Sequence, residues 1–402
     1  MAERERVVLV GVVVRGVPRP EVVAHLDELA QLVDTAGGEA AARMIQERKS
    51  PDAATFIGKG KVGELSALAA EHGARLVVFD DDLSASQVRH LEEALPEGTK
   101  VLDRAGVILD IFALRARTRE AQTQVEVAQL SYLLSRLTRR WAHLSRQAGG
   151  IGTRGVGETQ LEIDRRAIRR RLALLRERLG EIERERDVQR RRRGNLPAIA
   201  LVGYTNAGKS TLFTRLTGSA TLVEDRLFAT LDPRVRRADV GDGLVVTVAD
   251  TVGFIRKLPH HLVASFRATL AEAALAQVVV HMVDGSRPDW RDHLRVGEQV
   301  LEELGIEPRS CLVVVNKTDR LDGAAPELPI DRTAVALSSL TGDGLDRLTA
   351  AIRRAVLEQP GVEVLRFPAE GGEALERALR EEAVLARRFT ADGIELVVRR
   401  RQ

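Results

Sequence analysis

The sequence predicts a multidomain α/β protein with four parts. Short apolar runs alternate with amphipathic helical runs near the N-terminus and again in the second half of the chain, a pattern typical of parallel sheets covered by helices. Two heptad stripes between them indicate a pair of packed helices. At 402 residues the chain is also too long for one ordinary core. We therefore expect an N-terminal α/β domain (1–110), a basic helical hairpin (111–195), a second α/β domain (196–358) and a small βαβ unit (359–402).

The N-terminal region favours a parallel sheet. Its first apolar run, VVLVGVVV (7–14), is far too short to span a bilayer. No small-residue cleavage site of a signal peptide follows it, so we interpret the run as a buried strand and expect no transmembrane segment. The further predicted elements are the strands AAARMIQ, RLVVFD and TKVLD and the helices Glu21–Asp34, Val62–His72 and Ser84–Ala94.

Two helical stripes flank a glycine-rich segment in the middle of the chain. Neither predicted helix has another covering partner nearby in sequence, so we expect the two stripes to pack together as an antiparallel hairpin. The segment SRQAGGIGTRGVGETQ (145–160), which contains Arg146 and Arg154, would form its tip. The stripes comprise Val127, Leu130, Leu134, Leu137 and Trp141 on one side, and Leu161, Ile168, Leu172, Leu175, Leu179 and Ile182 on the other.

The charge is distributed unevenly. Residues 111–195 contain 21 arginines and 10 acidic residues, a net of +11, so the remainder of a chain with a total of +3 carries −8. A basic insert in an otherwise acidic protein suggests a polyanionic partner; the alternative is a solvated, Arg-rich hairpin without a partner. Cys311 is the only cysteine, which excludes a disulfide within the chain and fits a reducing, cytoplasmic setting.

A phosphate-binding loop follows the strand AIALVG. The sequence GYTNAGKS places Gly203, Gly208, Lys209 and Ser210 in the G-x-x-x-x-G-K-[ST] pattern, between a strand and the start of a helix. Glycines allow consecutive backbone N–H groups to curl around phosphate oxygens, and the helix N-terminus adds positive potential. Lys209 would reach the β- and γ-phosphates, and the Ser210 hydroxyl would bind Mg²⁺.

Two further segments have the residue types that a phosphate site requires. DTVG (250–253) comes at a strand end, where Asp250 would hold Mg²⁺ through water and the Gly253 N–H would sense the γ-phosphate. FATLDP supplies Thr230, a candidate switch hydroxyl for Mg²⁺; the alternative is an ordinary loop threonine. We expect Lys209, Thr230 and Gly253 to act on the reacting phosphate.

The segment NKTD, residues Asn316 to Asp319 at the end of the strand CLVVV, predicts which nucleotide base is bound. A carboxylate can accept both the ring N1–H and the exocyclic amino group of guanine, whereas adenine offers no such pair of donors. Ser338 and Ser339 follow the next strand and would complete the pocket, mainly through their backbone. The sequence therefore predicts a guanine nucleotide.

The order of these segments resembles the Ras-like P-loop GTPase fold, and all five elements are present. Phe254 is a departure, because switch proteins of that fold have a glutamine there to orient the attacking water, so hydrolysis must be slow or use another element. Asn206 resembles an asparagine that helps to bind K⁺ in some bacterial GTPases; the alternative is loop capping. The predicted GTP-binding residues are Gly203, Tyr204, Thr205, Asn206, Ala207, Gly208, Lys209, Ser210, Thr211, Phe228, Thr230, Asp250, Gly253, Asn316, Lys317, Asp319, Ser338, Ser339 and Leu340.

Four segments carry a more specific resemblance. They are DRAGVILDIFALRARTREAQTQVEVAQLSYLLSRL, the tip segment, FATLDP and DTVGFIRKLPHHLVASFRATL. On these segments, residues 1–358 resemble the HflX family of ribosome-associated GTPases. It implies binding to 23S RNA of the large ribosomal subunit, with Arg146 and Arg154 as RNA contacts. It also implies splitting or rescue of stalled ribosomes under stress, slow GTP hydrolysis stimulated by the ribosome, and a cytoplasmic protein that is monomeric when free.

Three alternatives remain open at this stage. The hairpin could grip a polypeptide in a GTP-regulated chaperone, or the protein could act in ribosome assembly or RNA maturation. FIGKGKVGEL (56–65) has glycines and lysines that could bind a second nucleotide, but it lacks the P-loop spacing, and a basic loop that contacts RNA or solvent is the simpler interpretation.

Overall fold

The computed structural model describes residues 4–137, 160–192, 196–219, 227–228, 230–232, 234–257, 272–321 and 328–400. The chain forms two compact units. The first comprises residues 1–182 together with 256–265, and the second comprises 183–255 together with 266–402. In the described ranges, no helix is both long and apolar enough to cross a membrane.

The first unit is built on a four-stranded parallel sheet in the order β2-β1-β3-β4, as the alternating pattern predicts. One helix was not anticipated: α4, whose apolar residues show no amphipathic period because most of it is buried. Asp103 caps it by accepting from the Gly106 N–H at 3.0 Å. The elements are β1 (Arg6–Val13), α1 (Arg19–Ala36), β2 (Glu39–Glu47), α2 (Lys59–Glu71), β3 (Leu76–Phe79), α3 (Ala85–Ala94), β4 (Lys100–Asp103) and α4 (Arg104–Arg115).

Two long helices, α5 (Arg119–Arg136) and α6 (Gln160–Arg192), form the hairpin. The central parts of the two stripes pack in one apolar cluster in which Leu172 and Leu175 are buried against Val127. Trp141 of the first stripe and the side chain of Leu161 of the second lie outside the described residues. Arg171 adds an ion pair with both carboxylate oxygens of Glu126, at 2.7 and 3.1 Å. The predicted tip, including Arg146 and Arg154, lies outside the described residues.

The second unit contains a six-stranded sheet in the order β10-β9-β8-β5-β7-β6, in which only β6 runs antiparallel to its neighbour. The sequence predicted five of these strands and missed β6, an edge strand whose three arginines conceal its alternation. The elements are β5 (Ala198–Gly203), α7 (Lys209–Thr217), β6 (Arg234–Asp239), β7 (Val245–Asp250), β8 (Val278–Asp284), α8 (Trp290–Glu303), β9 (Leu312–Asn316), β10 (Ala334–Ala336) and α9 (Leu345–Leu357).

The C-terminal segment forms a three-stranded antiparallel sheet with one helix: β11 (Val362–Phe367), α10 (Glu373–Glu381), β12 (Ala383–Thr390) and β13 (Gly393–Arg399). The predicted order of strand, helix and strand is present, but the predicted helix is shorter. Its second half is strand β12 because these residues pair with β13 along their length. Leu385, Ala386 and Val397 are buried in the same core as the six-stranded sheet.

Candidate nucleotide-binding site

The predicted phosphate-binding and base-binding segments lie at the carboxyl edge of the six-stranded sheet. Strands β5, β7 and β9 end at Gly203, Asp250 and Asn316, and the serine pair follows β10. Because these strands are parallel and close together in the sheet order, their carboxyl ends gather at one edge, the usual ligand-binding edge of such sheets.

Two glycines make the loop possible. Gly203 has φ 139°, and a Cβ there would lie 2.1 Å from the Met282 carbonyl oxygen. Gly208 has φ 94°, and a Cβ there would lie 2.1 Å from the Asn316 Nδ2 atom. Both positions combine a backbone conformation that favours glycine with a space that excludes any side chain.

Lys209 begins α7, and its ammonium group is held against the loop backbone. Its Nζ atom donates to the carbonyl oxygens of Gly203 at 2.9 Å and Tyr204 at 2.8 Å. Burial lowers the pKa of Lys209 to about 8, although the nearby Asp250 carboxylate opposes the shift. A buried ammonium at the start of a helix is suited to a polyanionic ligand, which would restore its full charge.

Ser210, Thr230 and Asp250 form a compact oxygen cluster. Ser210 Oγ lies 2.8 Å from Asp250 Oδ2 and 2.7 Å from Thr230 Oγ1, and Thr230 Oγ1 lies 3.2 Å from the same carboxylate oxygen. Burial raises the pKa of Asp250, while Lys209 and the two hydroxyls oppose that shift. The sequence-predicted Mg²⁺ set is therefore brought together.

The donor chemistry of this cluster fits magnesium. In the described part of the chain, Asp250 Oδ1 is buried and has no hydrogen-bond partner. No group of three His, Cys, Asp or Glu side chains that could hold a metal occurs in the same residues. One carboxylate with two hydroxyls is a hard-oxygen set, and Mg²⁺ is commonly held by one or two carboxylates together with substrate phosphates.

Asn316 connects the base-binding segment to the phosphate loop. Its side-chain Nδ2 donates to the Ala207 carbonyl oxygen at 2.7 Å, and its Oδ1 accepts from the backbone N–H and the hydroxyl of Ser339 at 2.8 and 2.9 Å. Asp319 accepts a hydrogen bond from Ser338 Oγ. The predicted guanine-binding residues thus lie together beside the P-loop.

Lys317 and Asn206 have left-handed backbone conformations, with φ of 63° and 61°. Lys317 Nζ pairs with Asp284 Oδ2 at 2.9 Å and lies 3.5 Å from Asn206 Oδ1. Asp284 was not singled out from the sequence, where it is only the last residue of an apolar strand. Its position at the carboxyl end of β8 was the available signal.

The remaining predicted contacts differ in exposure. Tyr204 and Phe228 are buried, and the Tyr204 ring stacks on His293 with centroids 3.7 Å apart. Leu340 is 67% exposed, and its backbone carbonyl accepts from Arg215. Thr211 lies in the first turn of α7. His293 was missed because an isolated histidine on an amphipathic helix carries no sequence signal.

Phe254 points into the core. It is 1% exposed, and its ring meets His281 edge to face with centroids 6.3 Å apart. Burial lowers the pKa of His281 to about 3, so this ring is neutral. The Phe254 backbone bonds to the P-loop: its N–H donates to Gly203 O at 2.9 Å, and its carbonyl accepts from the Thr205 N–H at 2.7 Å. The aromatic ring therefore anchors the DTVG segment.

Comparison with known proteins agrees with this geometry. Sequence profiles described as GTP-binding GTPase N-terminal, GTP-binding GTPase Middle Region and 50S ribosome-binding GTPase match residues 23–113, 115–193 and 198–317. The chain is 42% identical over 396 residues to the GTPase HflX of Caldanaerobacter subterraneus subsp. tengcongensis, a match that covers 98% of this chain and 90% of that protein. This chain belongs to the HflX family.

Two further HflX relatives match at similar levels. The GTPase HflX of Escherichia coli K12 is 42% identical over 381 residues, which cover 93% of this chain and 89% of that protein. The one from Magnetococcus marinus is 45% identical over 383 residues, which cover 93% of this chain and 87% of that protein. As an HflX-family GTPase, the protein binds guanine nucleotides and hydrolyses GTP, which confirms the predicted family, nucleotide and activity.

Proposed function

We propose that this HflX-family GTPase is a cytoplasmic factor that binds the large ribosomal subunit and, in its GTP form, splits or rescues stalled ribosomes under stress. The observation that carries the proposal is the hairpin with its net charge of +11. Among the side chains of α6 whose exposure the structure describes, seven arginines are exposed: Arg166, Arg169, Arg170, Arg171, Arg176, Arg178 and Arg184. Such a surface supplies phosphate contacts, which dominate affinity for RNA. The profile description 50S ribosome-binding GTPase points to the same partner.

In this proposal the nucleotide site works as the sequence predicts. The P-loop from Gly203 to Thr211 holds the phosphates, Asp319 reads guanine, and Ser210, Thr230 and, through water, Asp250 hold Mg²⁺. When bound, the metal neutralises charge on the β- and γ-phosphates. Lys209 supplies a second positive charge at these phosphates, and the Gly253 N–H distinguishes GTP from GDP. GTP then holds the segments around Thr230 and Gly253 in the form that binds the large subunit, and hydrolysis releases the protein from the ribosome.

Splitting is tested by light scattering of mature 70S ribosomes mixed with the protein and a non-hydrolysable GTP analogue. We expect scattering to fall with the analogue and to stay constant with GDP. Unchanged scattering, combined with binding to immature large-subunit particles, would instead favour the assembly GTPase. Pelleting with ribosomes across a salt titration separates the chaperone alternative, because phosphate contacts weaken steeply with salt whereas apolar contacts do not.

The hairpin tip is proposed as a ribosomal RNA contact. Replacing Arg146 and Arg154 with Ala is expected to weaken large-subunit binding and to leave GTP affinity unchanged, because the tip and the P-loop serve different ligands. An equal loss of GTP affinity would contradict this division. Hydrolysis by the ribosome-bound protein in KCl and in NaCl tests whether Asn206 takes part in a K⁺ site; equal rates would exclude it.

A further inference from the structure

One P-loop hydroxyl is buried and has no hydrogen-bond partner among the residues that the structure describes. Thr205 is 6% exposed, and no described residue forms a hydrogen bond with its Oγ1 atom. A buried hydroxyl left unpaired opposes folding, and such groups in native proteins are commonly completed by a ligand or water. The neighbouring loop position, Asn206, is by contrast in contact with Lys317.

Thr205 lies against Gly253, which is also close to the Lys209 ammonium; Gly253 and Lys209 are the two groups that we assign to the γ-phosphate. A Cβ built on Gly253 would lie 2.8 Å from both Cα and Cγ2 of Thr205 and 3.1 Å from Lys209 Nζ. The Thr205 N–H is fixed on the Phe254 carbonyl oxygen at 2.7 Å. The residue therefore has a defined backbone position beside the DTVG segment and the P-loop lysine.

The chemistry around the reacting phosphate leaves a role for this hydroxyl. Phe254 occupies the position where a carboxamide would orient water, and its ring is packed on His281 in the core. A hydroxyl is a hydrogen-bond donor, and phosphate oxygens are charged acceptors, so a bond between them is a strong one. GDP has no γ-phosphoryl group and would not form it.

We propose that the Thr205 hydroxyl donates a hydrogen bond to the γ-phosphoryl group of GTP and thereby helps the protein to distinguish GTP from GDP. During hydrolysis the water oxygen bonds to the γ-phosphorus while the bond from that phosphorus to the β,γ-bridging oxygen breaks. The electron pair of the broken bond stays on GDP, and the water protons pass to the phosphate product and to solvent. The hydroxyl donates to an oxygen of the γ-phosphoryl group throughout the reaction and so stabilises that group while it is transferred to water.

The test compares Thr205→Val with Thr205→Ser. Valine keeps the volume and the β-branch but lacks the hydroxyl, whereas serine keeps the hydroxyl. We expect Thr205→Val to lose about tenfold in affinity for a β,γ-imido GTP analogue and at least as much in the single-turnover hydrolysis rate, with GDP affinity unchanged. Thr205→Ser should remain within about threefold of the wild type, which is less than one such hydrogen bond is worth.

Three outcomes would overturn the proposal. Equal losses for GDP and the analogue would indicate a disturbed loop. Equal losses in the Val and Ser variants would indicate that the packing of the whole Thr205 side chain, and not its hydroxyl, is what matters. A higher unfolding temperature for Thr205→Val without any change in binding would show that the hydroxyl has no ligand. The inference rests on GTP hydrolysis and on the proposed phosphate site; Lys209→Ala, which should lose affinity for both nucleotides, tests that site separately.

Discussion

The side-chain amide of Asn316 donates to the backbone carbonyl of Ala207 at 2.7 Å, so the base-binding motif is bonded directly to the phosphate loop. We predict that Asn316→Ala lowers affinity for GTP and GDP equally, by tenfold or more, because it leaves Ala207 O and two donors of Ser339 unpaired. Titration with fluorescent GDP measures the effect. A variant that changes only the preference for guanine over hypoxanthine would contradict it.

Asp319 provides a test of base recognition. Asparagine in its place offers one acceptor and one donor, which match the N1–H and the C2 carbonyl of xanthine. We predict that Asp319→Asn loses about 100-fold or more in GTP affinity and gains affinity for XTP. Competition of both nucleotides against a labelled analogue measures the switch. Asp343→Asn, an exchange at a carboxylate that accepts from Thr341, serves as the matched control and should leave both affinities unchanged.

Ser210 provides a test of the metal site. Its hydroxyl lies 2.8 Å from the Asp250 carboxylate and 2.7 Å from the Thr230 hydroxyl. We predict that Ser210→Ala removes most of the Mg²⁺ dependence of GTP binding and lowers hydrolysis by about 100-fold, the scale of removing one preorganised group at a reacting phosphate. Magnesium titrations of nucleotide affinity measure it. Ser310→Ala, at a hydroxyl that donates to the Glu307 carbonyl oxygen of its own turn, should behave as wild type.

Phe254 yields a prediction about stability as well as rate. Glutamine at this position would bury a carboxamide against His281, so we predict that Phe254→Gln destabilises the protein by about 2–4 kcal/mol. Hydrolysis should not accelerate, because the side chain lies in the core. Thermal unfolding and single-turnover rates measure both effects, and Phe254→Leu should cost less stability. A tenfold faster Gln variant would show that the side chain can reach the phosphate.

Lys209 couples nucleotide binding to pH. Its pKa in the free protein is about 8 because the group is buried, and bound phosphates should raise that pKa again. At a pH near 8 the free protein therefore takes up protons when GTP binds, and affinity falls as the pH rises above that range. Calorimetry in buffers of different ionisation enthalpy measures the uptake. Lys209→Arg, whose side chain stays charged, should show none.

The sequence identified residues that the structure brings together at the carboxyl edge of the six-stranded sheet, but it did not identify the contacts around them. Gly203, Lys209, Asp250 and Asn316 were identifiable because they combine a motif with a position at a strand end. The pairing of strands across the C-terminal sheet could not be identified in this way. Residues Glu373 to Arg388 carry the charge pattern of an exposed helix, so β12 was predicted as helix. Only its pairing with β13 shows that it is a strand.

Other features of the site depend on three-dimensional context alone. The stacking of Tyr204 on His293 and the pairing of Lys317 with Asp284 join residues that are distant in sequence. The Thr205 hydroxyl, which has no partner among the described residues, belongs to a chemically ordinary side chain. No periodicity or spacing reports them. Asp284 shows why the sequence could not identify these contacts: a carboxylate at a strand end is common, and its partner Lys317 comes directly after another strand, β9.

The burial of Leu385, Ala386 and Val397 in the core of the six-stranded sheet determines which fragments of this chain can stand alone. A fragment that stops at residue 358 would lack three buried members of this core, Leu385, Ala386 and Val397, and would expose the apolar surface that they cover. Such a fragment is expected to aggregate or to require detergent. Biochemical work on the isolated GTPase should therefore retain the chain through residue 400.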